Sequence, residues 1–207
     1  MLDSIKQAVL DGEMEQAVGL TERAISEGLK ARQILDEALT PAMDVVGQEY
    51  EDGKRFVPEM LISAEAMQGA LAKLKPLLAE AGVEPRGRVV IGTVEGDLHD
   101  IGKDLVAMML EGAGLEVVDL GVDVTAEAFV QAVRDYNPSI LAMSALLTTT
   151  MIHAPEVIQA LREAGLRDKV KVIVGGAPVT AGFAREIGAD GYAPDAASAA
   201  KLATSLI

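Results

Sequence analysis

The sequence predicts a two-domain chain: a bundle of about four helices over residues 1–85, then an α/β domain over 86–207 built on a doubly wound, five-stranded parallel sheet. Three observations carry this. Apolar residues recur every three or four positions up to about residue 85. Beyond it, short apolar runs alternate with helical stretches of ten to fifteen residues. Several of those apolar runs also end in loops of small or polar residues, as strands of open α/β sheets do at their ligand-binding edge.

In the first half, Ile5, Ala8, Val9, Ala17, Leu20, Ala24 and Ile25 keep helical spacing, and Asp11-Gly12 marks a break. A second run takes in Ile34, Leu35, Ala38, Leu39, Ala42, Met43 and Val46 and ends near residues 47–53. Thr40-Pro41 should start a new segment there or bend this one, because proline lacks a backbone donor. A third run opens at Pro58, a tolerated first-turn position. It continues through Met60, Leu61, Ala64, Met67, Leu71, Leu74 and Leu78 to Gly82. Such helices with short connections imply an antiparallel bundle. The polar stretch 83–87 reads as the boundary.

In the second half, residues 89–94, 115–118, 140–144, 170–174 and 191–193 read as strands. Residues 103–112, 125–136, 151–164, 179–187 and 195–206 read as the helices between and after them. This is the pattern of a flavodoxin- or Rossmann-like sheet. Five strands favour the order 2-1-3-4-5, with a ligand crevice between strands 1 and 3.

Bulk properties narrow the function. Half of the 207 residues are apolar, enough for a sizeable core, and no run is apolar enough to span a membrane. The net charge is −14 and aromatic residues make up 3%, which argues against nucleic acid and against base-stacking platforms. With no cysteine, disulfides and thiolate chemistry are excluded. The amino terminus lacks the basic start and apolar core of a signal peptide, so the cytoplasm is the expected compartment.

The most informative segment is Gly96, Asp97, Leu98, His99, Asp100, Ile101, Gly102 and Lys103, between the first strand and the helix after it. His99 is one of two histidines in the chain. A lone loop histidine is commonly satisfied by backbone. Here, however, it sits at a strand end, a carboxylate precedes it by two residues, and a glycine closes the turn. An imidazole ligates metal through one nitrogen while a carboxylate holds the other N–H, and Asp97 is spaced for that task. Asp97 could also serve as a turn or capping residue. No set of further His, Cys or carboxylate ligands accompanies His99, so a protein-only zinc site is not indicated. A single protein ligand points to a metal that brings its own macrocycle.

Two further loops converge on the same edge. Ser144, Leu146, Thr148 and Thr150 lie in a hydroxyl-rich stretch after the third strand, where at least one hydroxyl could cap a helix. Gly175-Gly176 follows the fourth strand and could equally be an ordinary tight turn. Gly92 and Gly96 are spaced wrongly for either the dinucleotide fingerprint or the phosphate loop, and no nucleophile elbow is present. His153 lies in a helical run near Pro155, where surface or capping use is expected.

Taken together, residues 96–102, Ser144-x-Leu146 and Gly175-Gly176 resemble the three signature segments of cobalamin-binding domains of the methionine synthase type. Residues 56–64 resemble the start of the helix that caps the corrin ring. The resemblance covers nearly the whole chain and is closest to the stand-alone corrinoid proteins of methyltransferase systems, which serve methanol, methylamines or methoxylated aromatics.

That resemblance implies a set of roles. Residues 1–85 would be the cap domain and 86–207 the cobalamin-binding domain. The cofactor would be cobalamin or a related corrinoid, its cobalt alternating between methylcobalt(III) and cobalt(I). His99 would be the lower axial cobalt ligand in place of the cofactor's own base, Asp97 would hydrogen-bond it, and Thr150 would end the relay. Ser144, Leu146, Thr148, Gly175 and Gly176 would line the channel for the displaced nucleotide tail, with Asp195 and Ala196 near its far end. Phe56, Met60, Ala64 and Met67 would cover the upper ring face. The chain itself would be a non-catalytic carrier. Its partners would be a substrate-specific methyltransferase, a second methyltransferase using tetrahydrofolate or coenzyme M, and a reductive activase, with neither nucleic acid nor membrane involved. The rival reading is a cobalamin-dependent sensor or regulatory module; the small subunit of a cobalamin-dependent mutase is a third, which would lack such a bundle.

Overall fold

A computed structural model describes residues 1–207. The chain forms two compact units, Met1–Pro85 with Glu111–Gly114, and Arg86–Leu110 with Leu115–Ile207.

The first unit is helical. Its elements are α1 (Leu2–Leu10), α2 (Met14–Ser26), α3 (Ala31–Ile34), a π-helical turn (Leu35–Leu39), α4 (Thr40–Glu51) and α5 (Val57–Glu80). Ile5, Ala8 and Val9 of α1, Ala17 and Ala24 of α2, Ala42, Met43 and Val46 of α4, and Met60, Ala64, Met67, Leu71 and Leu74 of α5 are buried, the faces predicted by their spacing. The expected break at Thr40-Pro41 takes an unexpected form. The helix neither stops nor restarts; it widens into the π turn, and the Thr40 N–H bonds Leu35 O. A proline ring in a regular α-helix collides with the carbonyl four residues back, here that of Glu37, and one wide turn relieves the collision. At the start of α5, Glu59 accepts from the Phe56 N–H at 2.8 Å and Pro58 occupies the first turn.

The second unit holds strands β1 (Arg88–Thr93), β2 (Glu116–Asp119), β3 (Ile140–Ser144), β4 (Lys171–Gly175) and β5 (Gly191–Ala193). Between and after them run α6 (Ile101–Gly112), α7 (Ala126–Tyr136), α8 (His153–Glu163), α9 (Ala181–Ile187) and α10 (Ala196–Leu206). The sheet order is β2-β1-β3-β4-β5 and every pairing is parallel. Alternate residues feed two cores. Val90, Leu141, Met143, Val172 and Val174 pack on one face with Phe129, Val133, Val157, Ile158 and Leu161. Val89, Ile91, Ile140, Ala142 and Ile173 pack on the other with Leu110 and Ala203. Burial on both faces is why these strands read as unbroken apolar runs.

Boundaries shift by one or two residues from the sequence reading. Thr125, Thr180 and Asp195 stand just outside their helices as N-caps, accepting from Ala128, Phe183 and Ser198 respectively. The helix expected from residue 151 starts at His153, after a run of turns over residues 147–152.

Candidate functional site

The carboxyl ends of β1, β2 and β3 sit side by side, so the loops that leave them meet above the sheet. The loop after β1 is built around Asp97. Its side chain is 0% exposed, and both carboxylate oxygens are fully engaged. Oδ1 lies 2.7 Å from His99 Nδ1 and also accepts from the His99 backbone N–H at 3.1 Å. Oδ2 accepts from the Leu146 N–H at 2.7 Å and from the Thr150 hydroxyl at 2.6 Å. One buried carboxylate thus joins the loop after β1 to the loop after β3.

The electrostatics follow from these contacts. Burial alone would raise the Asp97 carboxyl, but the hydrogen bonds from Thr150, Leu146 and His99 outweigh it and hold Asp97 well below the usual carboxylate range. An ionised Asp97 cannot donate, so the proton between it and His99 resides on Nδ1. In the neutral ring the lone pair is then on Nε2. The His99 side chain is about half exposed. Beside it, Leu98 and Ile101 are 70% and 76% exposed, and Leu146 and Leu147 are exposed too. An outward imidazole nitrogen within a rim of uncovered apolar side chains suits a broad, largely apolar ligand carrying a metal at its centre.

The donor set agrees. No group of three or more His, Cys, Asp or Glu is placed to hold a metal ion. The arrangement offers one nitrogen and therefore fits a metal whose remaining positions are filled by its own ligand. A corrinoid would meet that requirement: His99 would hold the cobalt, while Asp97 holds His99 and Thr150 and the Leu146 N–H hold Asp97.

The other residues singled out from sequence are distributed as follows. Gly96 has φ +76°, a left-handed turn that brings the chain into Asp97. Asp100 is exposed, and its carbonyl accepts the Asp104 N–H at the start of α6. A Cβ on Gly102 would meet nothing, so the first turn of α6 is open on that side. Ser144 ends β3 beside Gly175 of β4, and Thr148 is exposed in the turn that follows. Gly176 is constrained by a close approach: a Cβ there would stand 1.8 Å from the Ala145 carbonyl oxygen, and φ is +119°. That glycine lets the loops after β3 and β4 press together. Asp195 commits one oxygen to the Ser198 N–H as the cap of α10, and Ala196 is buried at 5% exposure.

Of the residues expected over the ring, Met60 and Met67 are 0% exposed. Their spacing along α5 is that of core residues, which helical periodicity alone cannot distinguish from a ligand-facing stripe. Ala64 is buried likewise, whereas Phe56 is 69% exposed. His153 is a surface residue, its Nδ1 lying 2.6 Å from a Glu156 carboxylate oxygen.

The structure also gives roles to residues for which sequence patterns suggested none. Thr93, fully buried at the end of β1, donates from its hydroxyl to the His99 carbonyl at 3.0 Å. Asp123, in the loop after β2, accepts the Gly96 N–H at 2.7 Å. Lys103 is buried and its ammonium bonds both Asp104 and Asp119. Burial would lower its pKa; the two carboxylates more than compensate, and it is raised. A terminal strand threonine is a weak signal, and Asp123 is distant in sequence from the loop it holds.

Comparison with known proteins supplies the family. B12 binding domain models match residues 87–201 and residues 1–75. The chain is 43% identical over 210 residues to a corrinoid protein of Desulfitobacterium hafniense (strain Y51), covering 100% of this chain and 97% of that one. It is 41% identical over 208 residues to the dimethylamine corrinoid protein of Methanosarcina barkeri, covering 100% and 97%. Among solved structures, the methanol:cobalamin methyltransferase complex of Methanosarcina barkeri matches with a TM-score of 0.87 and 36% identity, over 98% of this chain and 78% of that one. A cobalamin-binding protein of Desulfitobacterium hafniense DCB-2 matches with a TM-score of 0.83 and 32% identity, over 100% and 98%. Family models over both units, relatives along the full length, and one oriented imidazole on an apolar rim agree: the chain belongs to the B12-binding family and is a corrinoid protein of the kind found in methyltransferase systems.

Proposed function

We propose that this chain is a methyl carrier. It would receive a methyl group from a substrate-specific methyltransferase, hold it on a bound corrinoid, and yield it to a second methyltransferase acting on tetrahydrofolate or coenzyme M. The observation that supports this best is the Asp97 carboxylate, which engages His99 Nδ1 and Thr150 at once and leaves His99 Nε2 as the free nitrogen. Relatives that are trimethylamine and dimethylamine corrinoid proteins, 44% and 41% identical, favour a methylated amine as the first donor.

A bound corrinoid supplies the cobalt centre that accepts and releases the methyl group. The protein's own residues do the rest. His99 would hold the cobalt through Nε2. Asp97, kept ionised, fixes the imidazole tautomer and raises its basicity. Thr150 and the Leu146 N–H stop Asp97 from turning away. Leu98 and Ile101 would provide apolar surface for the ring, and Ser144, Leu146, Thr148, Gly175 and Gly176 would line a path for the nucleotide tail. The far end of that tail would lie near Asp195 and Ala196, using the Asp195 oxygen that does not cap α10. A reductive activase would restore the carrier after oxidation.

The reading is tested by reconstituting the full chain with cobalamin and recording electron paramagnetic resonance of its cobalt(II) form. With nitrogen-15 histidine incorporated, a doublet superhyperfine splitting distinct from the triplet of the cofactor's own base is expected, and His99→Ala should abolish the doublet. A histidine doublet that persists in His99→Ala would sink the ligand assignment. Methyl transfer from trimethylamine, dimethylamine or methanol, each with its cognate methyltransferase, then decides the donor.

A further inference from the structure

The β2–α7 loop, residues 120–125, belongs to none of the cofactor-binding segments, yet it grips the His99 loop at several points. Its carbonyl at Gly121 accepts the Thr93 N–H at 3.0 Å, and the Val124 N–H donates to Thr93 O at 3.0 Å. Thr93 in turn holds the His99 carbonyl. Asp123 bonds the two peptides that flank the Gly96-Asp97 unit: its carboxylate accepts the Gly96 N–H, of the Glu95–Gly96 peptide, at 2.7 Å, and its own N–H donates to the Asp97 carbonyl, of the Asp97–Leu98 peptide, at 3.0 Å. At the strand that feeds the loop, Asp119 bonds Lys103 just beyond Gly102 and accepts the Gly121 N–H at 2.8 Å.

Asp123 makes these bonds from an unusual backbone. It is one of two non-glycine residues with positive φ, at +54°. Aspartate tolerates the left-handed region better than most residues, but a strained exposed residue whose carboxylate and N–H are both committed to one short loop segment is a mark of function. The Gly96-Asp97 segment between those two peptides is itself in a left-handed turn, with Gly96 at φ +76°. Rotation of that segment would swing Asp97 away from His99, Leu146 and Thr150 together.

We propose that Asp123 is a positioning residue: by holding the peptides on either side of the Gly96-Asp97 unit it fixes where Asp97 stands, and through Asp97 the direction in which His99 presents Nε2. The role of His99 as cobalt ligand rests on the proposed function above, but the clamp on Asp97 does not. Loss of a group that orients a metal-bound histidine weakens metal affinity by about 10- to 100-fold. Acting through one more residue, Asp123 sits at the lower end, about tenfold.

Three variants of the full chain separate the carboxylate from the backbone. Asp123→Gly keeps the left-handed turn and removes the acceptor; Asp123→Asn keeps both an acceptor and the turn; His99→Ala is the ligand control. Each is measured as apoprotein, by the imidazole nitrogen chemical shifts of His99 at one fixed pH, and after loading with cobalamin, by affinity and cobalt(II) resonance. Asp123→Gly should shift the His99 Nδ1 resonance toward that of an unpaired imidazole, bind cobalamin about tenfold more weakly and blur the histidine splitting. Asp123→Asn should stay close to wild type in all three. Wild-type shifts and affinity in Asp123→Gly, or an Asp123→Asn as impaired as Asp123→Gly, would overturn the proposal. If the unaltered protein shows no histidine splitting, the ligand reading fails, and the apoprotein shifts still decide whether Asp123 orients the Asp97–His99 pair.

Discussion

Asp97 and Thr150, 53 residues apart, share a hydrogen bond of 2.6 Å between a buried carboxylate oxygen and a buried hydroxyl. It is a charge-assisted bond, and Oδ2 has one other partner here, the Leu146 N–H. Thr150→Val, nearly equal in volume, should therefore lower the unfolding free energy by about 1–3 kcal/mol, measured by urea denaturation of the apoprotein. A loss within a few tenths of a kcal/mol would show that the bond contributes nothing net.

Asp97→Asn keeps the shape and alters the charge and the donor pattern. The amide can no longer stabilise the Nδ1–H tautomer as a carboxylate does, so Nε2 becomes a poorer ligand. Histidine coordination in the cobalamin-loaded protein should weaken by about 10- to 100-fold. Visible absorption during titration with cobalamin reads this directly, and unchanged affinity would separate Asp97 from ligand control.

At Gly176 no side chain fits. A Cβ would stand 1.8 Å from the Ala145 carbonyl oxygen with φ at +119°. Gly176→Ala must move the loop after β4 away from the loop after β3, at a cost of about 1–3 kcal/mol in backbone strain alone. Lower thermal stability together with weaker cobalamin binding is expected; wild-type behaviour in both would contradict the close approach.

Away from the site, Asp190 gives a pH dependence. Burial pushes its carboxyl up, but the Val172 N–H and the Arg167 guanidinium outweigh it and hold the group below its ordinary value. A carboxyl with its folded pKa below the unfolded one stabilises above the unfolded value, about 3.9, and that stability disappears as the pH falls through the folded value. Asp190→Asn should thus be destabilised at pH 7 relative to wild type, with the gap closing below about pH 4. A gap that stays constant from neutral to acid pH would remove the charge from the explanation.

Much of this protein was legible in its sequence. Alternating residues such as Val89, Val90 and Ile91 fill opposite cores, and the short runs between helices could form only a parallel sheet. Period and length encode such features locally. The pairing of a carboxylate with His99 was also readable, because two residues of separation place Asp97 within reach of the imidazole. The fate of Thr40-Pro41 was readable only in part: proline forbids a regular turn, but packing decides whether the chain breaks, bends or widens into a π turn.

Other features had no local signature. Met60 and Met67 follow the same spacing whether they line a core or a ligand, and their burial is visible only in the fold. Asp123 meets Gly96 because β2 pairs with β1, and Thr150 meets Asp97 because β3 does. Sequence by itself determined the elements, the strand order and the single histidine at a strand end. The tertiary structure alone decided which distant side chains orient that histidine, because strand pairing, not chain proximity, brings their loops together.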